Sequence, residues 1–290
     1  MTQTNLESLD KELTTDTVLR KYGFWNGVVT ALSIFFAQII VAIIASLIGL
    51  GLAFSGGFEI DNVFGLIMGI TLIVAFPLAV WWVLRSRKLA AEAWVWKNEY
   101  WKLLLISFLM TFGTAWVIGV ILELFPFYED MVKQYAEMFE GLNPFLLIIG
   151  GAVIGPICEE IIFRGIILKE FLLRYDYKKA ILYSSIIFSA IHMMPLQVIA
   201  TFPVGLVLGY IYYKTNSLWL VSIIHIINNT LSFTFGTEQL ASGESTRDWF
   251  GNDLLFVGSM ILVMALVYGM YVLFERYQPD QSAEQVRELS

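Results

Sequence analysis

Long, uninterrupted apolar stretches constrain the fold of this chain more than any other feature. Residues 25–54 contain no charged side chain, and several later stretches are nearly as apolar. A helix that crosses the hydrocarbon core of a bilayer needs about 20 apolar residues, whereas strands of membrane barrels alternate apolar and polar residues. Hydrophobic residues make up 58% of the 290 residues and charged residues only 15%. The sequence therefore predicts an all-α, polytopic membrane protein.

The apolar stretches predict about eight transmembrane helices. We place them at residues 25–54, 63–84, 101–125, 144–175, 178–194, 195–214, 216–235 and 254–274. With eight spans, nearly all basic residues fall on one side of the membrane, and only Lys133 and Arg247 fall on the other. Because basic loops are retained in the cytoplasm, we expect both termini to be cytoplasmic.

The chain divides into four parts by composition. Residues 1–24 form a polar cytoplasmic tail. Residues 25–143 hold the first three spans and an amphipathic segment, 129–140, which we interpret as an interfacial helix. Residues 144–235 hold the next four spans, and residues 236–290 comprise a polar loop, the last span and a C-terminal tail.

One apolar stretch carries charges in its interior, where they give the helical bundle a polar site. Gly150 to Glu170 contains Glu159, Glu160 and Arg164, and each charge at the centre of a bilayer costs about 2.5–3.5 kcal/mol on insertion scales. Glu160 and Arg164 share one helical face and can form an ion pair. Glu159 points elsewhere and needs a partner from another helix. Pro156 lacks an N–H, so we expect the helix to loosen just before the glutamates.

Both histidines of the chain lie in later spans. His192 follows Phe188 by four residues and Asn229 follows His225 by four, so each pair shares a helical face. Asn229 alone, or an ion pair alone, is commonly structural. Polar groups inside a membrane face the bundle interior and one another. Concentrating both histidines with the central carboxylates therefore favours a functional site over a purely structural network.

Hydrolysis is the chemistry that these groups suit. A carboxylate in an apolar site can act as a general base toward water. An imidazole can share that role or bind a metal ion. Imidazole and amide N–H groups can stabilise an oxyanion, and such donors matter most in a dry site.

Three short motifs resemble those of one family. CEEIIFRG, at Cys158 to Gly165, fits the pattern Glu-Glu-x-x-x-Arg. FSAIH, at Phe188 to His192, fits Phe-x-x-x-His, and the segment His225 to Asn229 fits His-x-x-x-Asn. In this order they resemble the CAAX prenyl protease and bacteriocin-processing (CPBP, or Abi) family of intramembrane proteases. The resemblance covers roughly Pro144 to Phe235.

The resemblance implies an intramembrane endopeptidase that hydrolyses a peptide bond of a membrane-associated or lipidated substrate. Carried over residue by residue, it makes Glu159 the base that activates water, with His192 assisting. It makes His225 and Asn229 the groups that stabilise the oxyanion.

The same resemblance makes Glu160 and Arg164 a supporting pair, with a direct contribution of Glu160 left open. Members of the family are often labelled metalloproteases, while a metal-free glutamate mechanism is also argued for them. Glu159, His192 and His225 can together hold zinc, with water in the fourth position, but the chain lacks the His-Glu-x-x-His pattern of common zinc proteases. The sequence leaves open whether a divalent metal such as zinc is required.

A thiol mechanism is a second possibility. Cys158 is the chain's one cysteine, and a thiolate beside a histidine can be a nucleophile. A lone cysteine in an apolar span is more often a small core residue.

Two alternative interpretations of the sequence do not involve an enzyme. A non-catalytic membrane scaffold or bacteriocin immunity factor would keep the same fold and polar cluster. A transporter is less consistent, since the early spans carry almost no buried charge and no internal repeat is visible.

The expected partners are a peptide or protein substrate, with or without a lipid anchor, and the lipid bilayer. The net charge of −7 provides no basic surface for nucleic acid. We expect an integral protein of a bacterial cell membrane.

Overall fold

The structure is a computed structural model that describes residues 23–54, 67, 69, 71–85, 94, 96–137, 144–242 and 246–277. Over these ranges the chain is helical and contains no strand. In chain order the helices are α1 (Phe24–Phe54), α2 (71–84), α3 (Tyr100–Glu123), α4 (Tyr128–Glu137), α5 (144–172), α6 (Tyr177–Ala190), α7 (Pro195–Thr215), α8 (Leu218–Ser242), α9 (Thr246–Phe250) and α10 (Asp253–Glu275). The predicted all-α class is confirmed.

Helix lengths agree with a polytopic membrane protein. Within the described ranges, five helices, α1, α3, α5, α7 and α10, are long and apolar enough to cross a membrane, and residues 73–84 and 218–234 form shorter apolar helices. Each of the eight predicted spans contains a helix where the structure describes it, but the predicted ends at 124–125, 173–175, 191–194 and 216–217 are not helical. That α2, α6 and α8 also cross the bilayer stays a prediction.

Two segments outside the spans differ from expectation. The polar loop predicted at 236–251 is partly helical, because α8 continues to Ser242 and α9 follows at Thr246–Phe250. Residues 237–242 contain neither glycine nor proline, and an established helix adds such residues at low cost. The amphipathic helix α4 is present, but residues 138–140 of the predicted segment lie outside the described ranges. Its location at the membrane interface stays a prediction.

The central helix of the bundle is α5. Helix α8 packs against its first half, and α6 packs against its second half and along α7. Helix α3 contacts α7, α8 and α10. Large apolar side chains of α1 and α10 are mostly exposed, as expected of surfaces that face lipid. The middle of α5 is thereby enclosed by α6, α7 and α8.

Residues at the two ends of α6 determine where this helix begins and where it stops. Asp176 caps the first turn by accepting the N–H of Lys179 at 3.2 Å, and this hydrogen bond lowers the pKa of the exposed Asp176 carboxyl. At the other end, Pro195 requires an extended residue before it, and Met194 has a ψ of 123°. Met193 is left-handed, with a φ of 60°. The helix therefore stops at Ala190, and the turn that follows leads into α7.

Candidate active site

Helix α5 changes its winding on both sides of the two adjacent glutamates. It is π-helical over Ile148–Ile154, α-helical over Gly155–Glu160 and π-helical again over Ile161–Leu168. In the first π-helical stretch, the N–H of Gly155 donates to the carbonyl oxygen of Gly150, five residues earlier. The expected loosening before the glutamates is thus present as π-helical winding, a feature that frequently marks functional parts of helices.

Glu160 and Arg164 form the predicted ion pair, and both are removed from solvent. The exposed fractions of their side chains are 0% and 1%, and Arg164 Nη1 donates to Glu160 Oε1 at 3.0 Å. Arg164 Nη2 donates to the carbonyl oxygen of Gly205 on α7 at 3.2 Å. The guanidinium carbon lies 4.6 Å from the centre of the Phe188 ring. A buried pair of this kind holds three helices, α5, α6 and α7, in one arrangement.

His225 lies between the two glutamates. Its Nδ1 is 2.7 Å from Glu160 Oε1, and its Nε2 is 3.7 Å from Glu159 Oε2. Because the Glu160 carboxylate is paired with Arg164 and can only accept, the proton of this hydrogen bond belongs to Nδ1 of His225. Two carboxylates and one guanidinium leave one excess negative charge. A second proton, on Nε2, would neutralise the cluster.

The two glutamates differ in accessibility. The side chain of Glu159 is 17% exposed, whereas that of Glu160 is fully buried. Glu160 is committed to Arg164 and His225, and Glu159 contacts His225 at longer range. Glu159 is therefore the carboxylate that water and a substrate can reach.

His192 lies in the turn after α6 rather than inside the helix, close to the cluster but not joined to it. Its Nδ1 is 2.8 Å from the carbonyl oxygen of Phe188. A carbonyl only accepts, so Nδ1 carries a proton, and Nε2 is the nitrogen that can hold the lone pair of a neutral ring. The Phe188 ring lies 5.1 Å from the His192 ring and 6.0 Å from the His225 ring, between centroids. Over the residues that the structure describes, no ion pair joins His192 to either glutamate.

Asn229 is anchored to the backbone of α5. Its Nδ2 donates to the carbonyl oxygen of Gly151 at 3.4 Å. An asparagine amide has two N–H groups, so the second remains available to another acceptor. Asn229 lies one helical turn after His225 on α8; His225 contacts α5 at the two glutamates, and Asn229 contacts it at Gly151.

Sequence reasoning missed three participants in this site. The Phe188 ring contacts Arg164 and both histidines, and the carbonyl groups of Gly205 and Gly151 accept from Arg164 and Asn229. The four-residue spacing in FSAIH is a signal for Phe188. Carbonyl acceptors give no such signal, since every residue carries one.

The proposed metal ligands do not form a metal centre in this arrangement. Across the described residues, no group of three or more histidine, cysteine, aspartate or glutamate side chains is placed to hold a metal ion. Both ring nitrogens of His225 face carboxylates. The free nitrogen of His192 is not joined to that cluster. Glu159, His192 and His225 thus do not fit a shared zinc ion in this arrangement.

Comparisons with known proteins agree with the motif pattern. Residues 141–231, which include all six predicted site residues, match the model of the family described as type II CAAX prenyl endopeptidase Rce1-like. A Bacillus subtilis (strain 168) protein named "Putative membrane peptidase YdiL" is 33% identical over 85 residues, or 29% of this chain and 35% of that protein. The chain thus matches about a third of that relative's length. No solved structure matches the chain significantly.

Both matches support a membrane-protease kind of function. The expected integral membrane location is supported by the apolar helices and by the named peptidase. The family resemblance drawn from the three motifs is confirmed. Residues 141–231 of this polytopic membrane protein are thus similar to the Rce1-like CAAX prenyl endopeptidase family, as the three motifs predicted.

Proposed function

We propose that this protein is an intramembrane endopeptidase in which Glu159 activates water to hydrolyse a peptide bond of a membrane-associated substrate. The observation that carries this proposal is the unequal burial of the two adjacent glutamates. Glu160 is closed off by Arg164 and His225, while Glu159 is partly exposed and faces the same histidine. A reactive carboxylate beside a fixed supporting pair is what glutamate-assisted hydrolysis requires.

In the first step, Glu159 accepts a proton from water as the water oxygen attacks the scissile carbonyl carbon. His192 assists with the lone pair on its Nε2, because its Nδ1–H is held by the carbonyl of Phe188. In the second step, the carbon–nitrogen bond breaks and Glu159 returns the proton to the leaving amine. Water supplies the hydroxyl of the new carboxyl group, so atoms and charges balance.

The tetrahedral oxyanion needs donors that are in place before the reaction. Asn229 has one N–H that is not used by Gly151. When His225 carries a proton on both nitrogens, it donates Nδ1–H to Glu160 and presents Nε2–H on the Glu159 side of the cluster. The Glu160–Arg164 pair fixes the plane of the His225 ring and excludes water from its far side.

Location and family similarity support a proposal for the substrate class. The site lies on apolar helices, so a peptide must reach it at or within the bilayer. The family description names prenyl endopeptidases, and we propose a lipid-anchored or membrane-spanning peptide for this chain. We also propose a bacterial cell membrane with both termini in the cytoplasm, as the distribution of basic residues predicts.

Terminal-peptide profiling of membranes tests this function. Cells would express wild type, Glu159→Gln or a control, Glu129→Gln, at matched levels; Glu129 is an exposed carboxylate on α4. We expect new termini with wild type and the control and none with Glu159→Gln, because loss of a general base costs roughly 100- to 10,000-fold. Identical profiles for all three folded proteins would contradict the proposal and favour a scaffold or immunity role.

A further inference from the structure

The register of α5 leaves the Gly151 carbonyl without the backbone donor that residue 156 would supply. In the π-helical stretch, Gly155 N–H donates to the carbonyl of Gly150. The next donor in this register is residue 156, and its acceptor is the carbonyl oxygen of Gly151. Residue 156 is a proline and has no N–H. The π-helical winding ends at Ile154, and the Gly151 carbonyl is left for a donor from elsewhere.

That donor comes from α8. Asn229 Nδ2 lies 3.4 Å from the Gly151 oxygen. Helix α8 reaches this point because residue 151 has no side chain: a Cβ atom there would lie 3.3 Å from Cζ of Phe233, tighter than ordinary contact. Phe233 follows Asn229 by one helical turn on the same helix. Gly151 thus leaves space for α8 to approach. Pro156, which has no N–H, leaves the Gly151 carbonyl open to Asn229.

We infer that Pro156 is a positioning residue that orients the Asn229 amide for catalysis, an inference that rests on the proposed function. One N–H of the amide is held by Gly151, which fixes the plane of the amide. The second N–H then has a defined direction toward the oxyanion. Pro156 contacts no substrate in this account and acts only by withholding a competing donor from the Gly151 carbonyl.

The Pro156→Ala substitution restores the backbone donor that proline lacks. Alanine supplies an N–H in the same register as the Gly155 donor, and that N–H competes with Asn229 for the Gly151 oxygen. Alanine also suits a helix interior far better than proline, so the variant should melt at the same temperature as wild type or higher. Its kcat should nevertheless fall roughly 10- to 100-fold, below the full cost of losing an oxyanion donor. Its KM should not change.

Two double-mutant cycles test the inference with purified full-length protein. The first measures the apparent melting temperature of wild type, Pro156→Ala, Asn229→Ala and the double variant. We expect Asn229→Ala to lower the melting temperature in the wild-type background, because it leaves the partly buried Gly151 carbonyl unpaired. In the Pro156→Ala background this loss should largely disappear. The first cycle needs no substrate, so it tests the contact even if the proposed function fails.

The second cycle measures kcat and KM on a peptide identified by terminal profiling. The loss of kcat caused by Pro156→Ala should vanish when Asn229 is already alanine. Pro156→Gly, which restores the N–H but is a poorer helix former, should show the same coupling. The matched control is Pro203→Ala, a proline inside α7, for which we expect no coupling to Asn229. Additive effects in both cycles would overturn the inference, even with an active wild-type enzyme.

Discussion

Breaking the buried ion pair should destabilise this protein far more than breaking an exposed one. In Glu160→Leu the Arg164 guanidinium, 1% exposed, loses its paired carboxylate and keeps the Gly205 carbonyl, the Phe188 ring and the more distant charge of Glu159. An uncompensated buried charge costs about 3–5 kcal/mol. For a chain of this length, 1 kcal/mol lowers the melting temperature by roughly 2 °C or more. We therefore expect a fall of at least about 6 °C.

Replacing both partners should largely reverse that loss. Apolar residues in place of a whole buried pair are often neutral or stabilising, so Glu160→Leu/Arg164→Met should melt above either single variant. The reversal is incomplete because His225 loses the acceptor of its Nδ1–H, at about 1 kcal/mol. Cleavage should not recover, since nothing then orients the His225 ring. Stability and activity thus respond differently to the second substitution.

Thermal unfolding of the detergent-purified variants, at one scan rate and lipid content, provides the measurement. The control is Arg247→Met, which breaks the pair with Asp253, whose two side chains are 56% and 71% exposed. Exposed pairs contribute about 0–1 kcal/mol. The reasoning is refuted if Glu160→Leu costs no more than this control, or if the two single costs add in the double variant.

Two further substitutions separate the proposed mechanism from its alternatives. Cys158→Ala should leave kcat unchanged, because water and not the buried thiol is the nucleophile; a severe loss measured on the same peptide would restore the thiol mechanism. Phe188→Leu should cost about 1–3 kcal/mol in thermal unfolding, and kcat should fall while KM holds, since the ring contacts Arg164 and both histidines. A loss of stability without a loss of kcat would limit Phe188 to packing.

Side-chain identity and spacing predicted much of this site. The four-residue separation of Glu160 and Arg164 is enough to predict their pairing on a helix, and the structure forms that pair. The apolar stretches predicted every helix that holds a site residue. His192 was expected inside the fifth span but follows the end of α6. The proline at position 195 is the sequence signal that could have placed this turn.

The remaining features depend on backbone winding and helix docking, which leave little trace in a single sequence. The carbonyls of Gly151 and Gly205 become acceptors only because α8 and α7 approach α5 at those points. Nδ1 of His225 contacts Glu160 and its Nε2 faces Glu159. This arrangement depends on the angle at which α8 packs against α5. The π-helical stretches depend on the same packing. Pro156 predicted a loosened helix without indicating which form the loosening would take.

The most direct test of the central claim follows the oxygen atom of the attacking water. Purified wild type and Glu159→Gln would be reconstituted in lipid vesicles with a membrane-protein extract, in water labelled with heavy oxygen. We expect new C-terminal carboxyl groups that carry the label with wild type and are absent with Glu159→Gln. Labelled termini that form equally with both proteins, or that form with neither while wild type is folded, would contradict this claim.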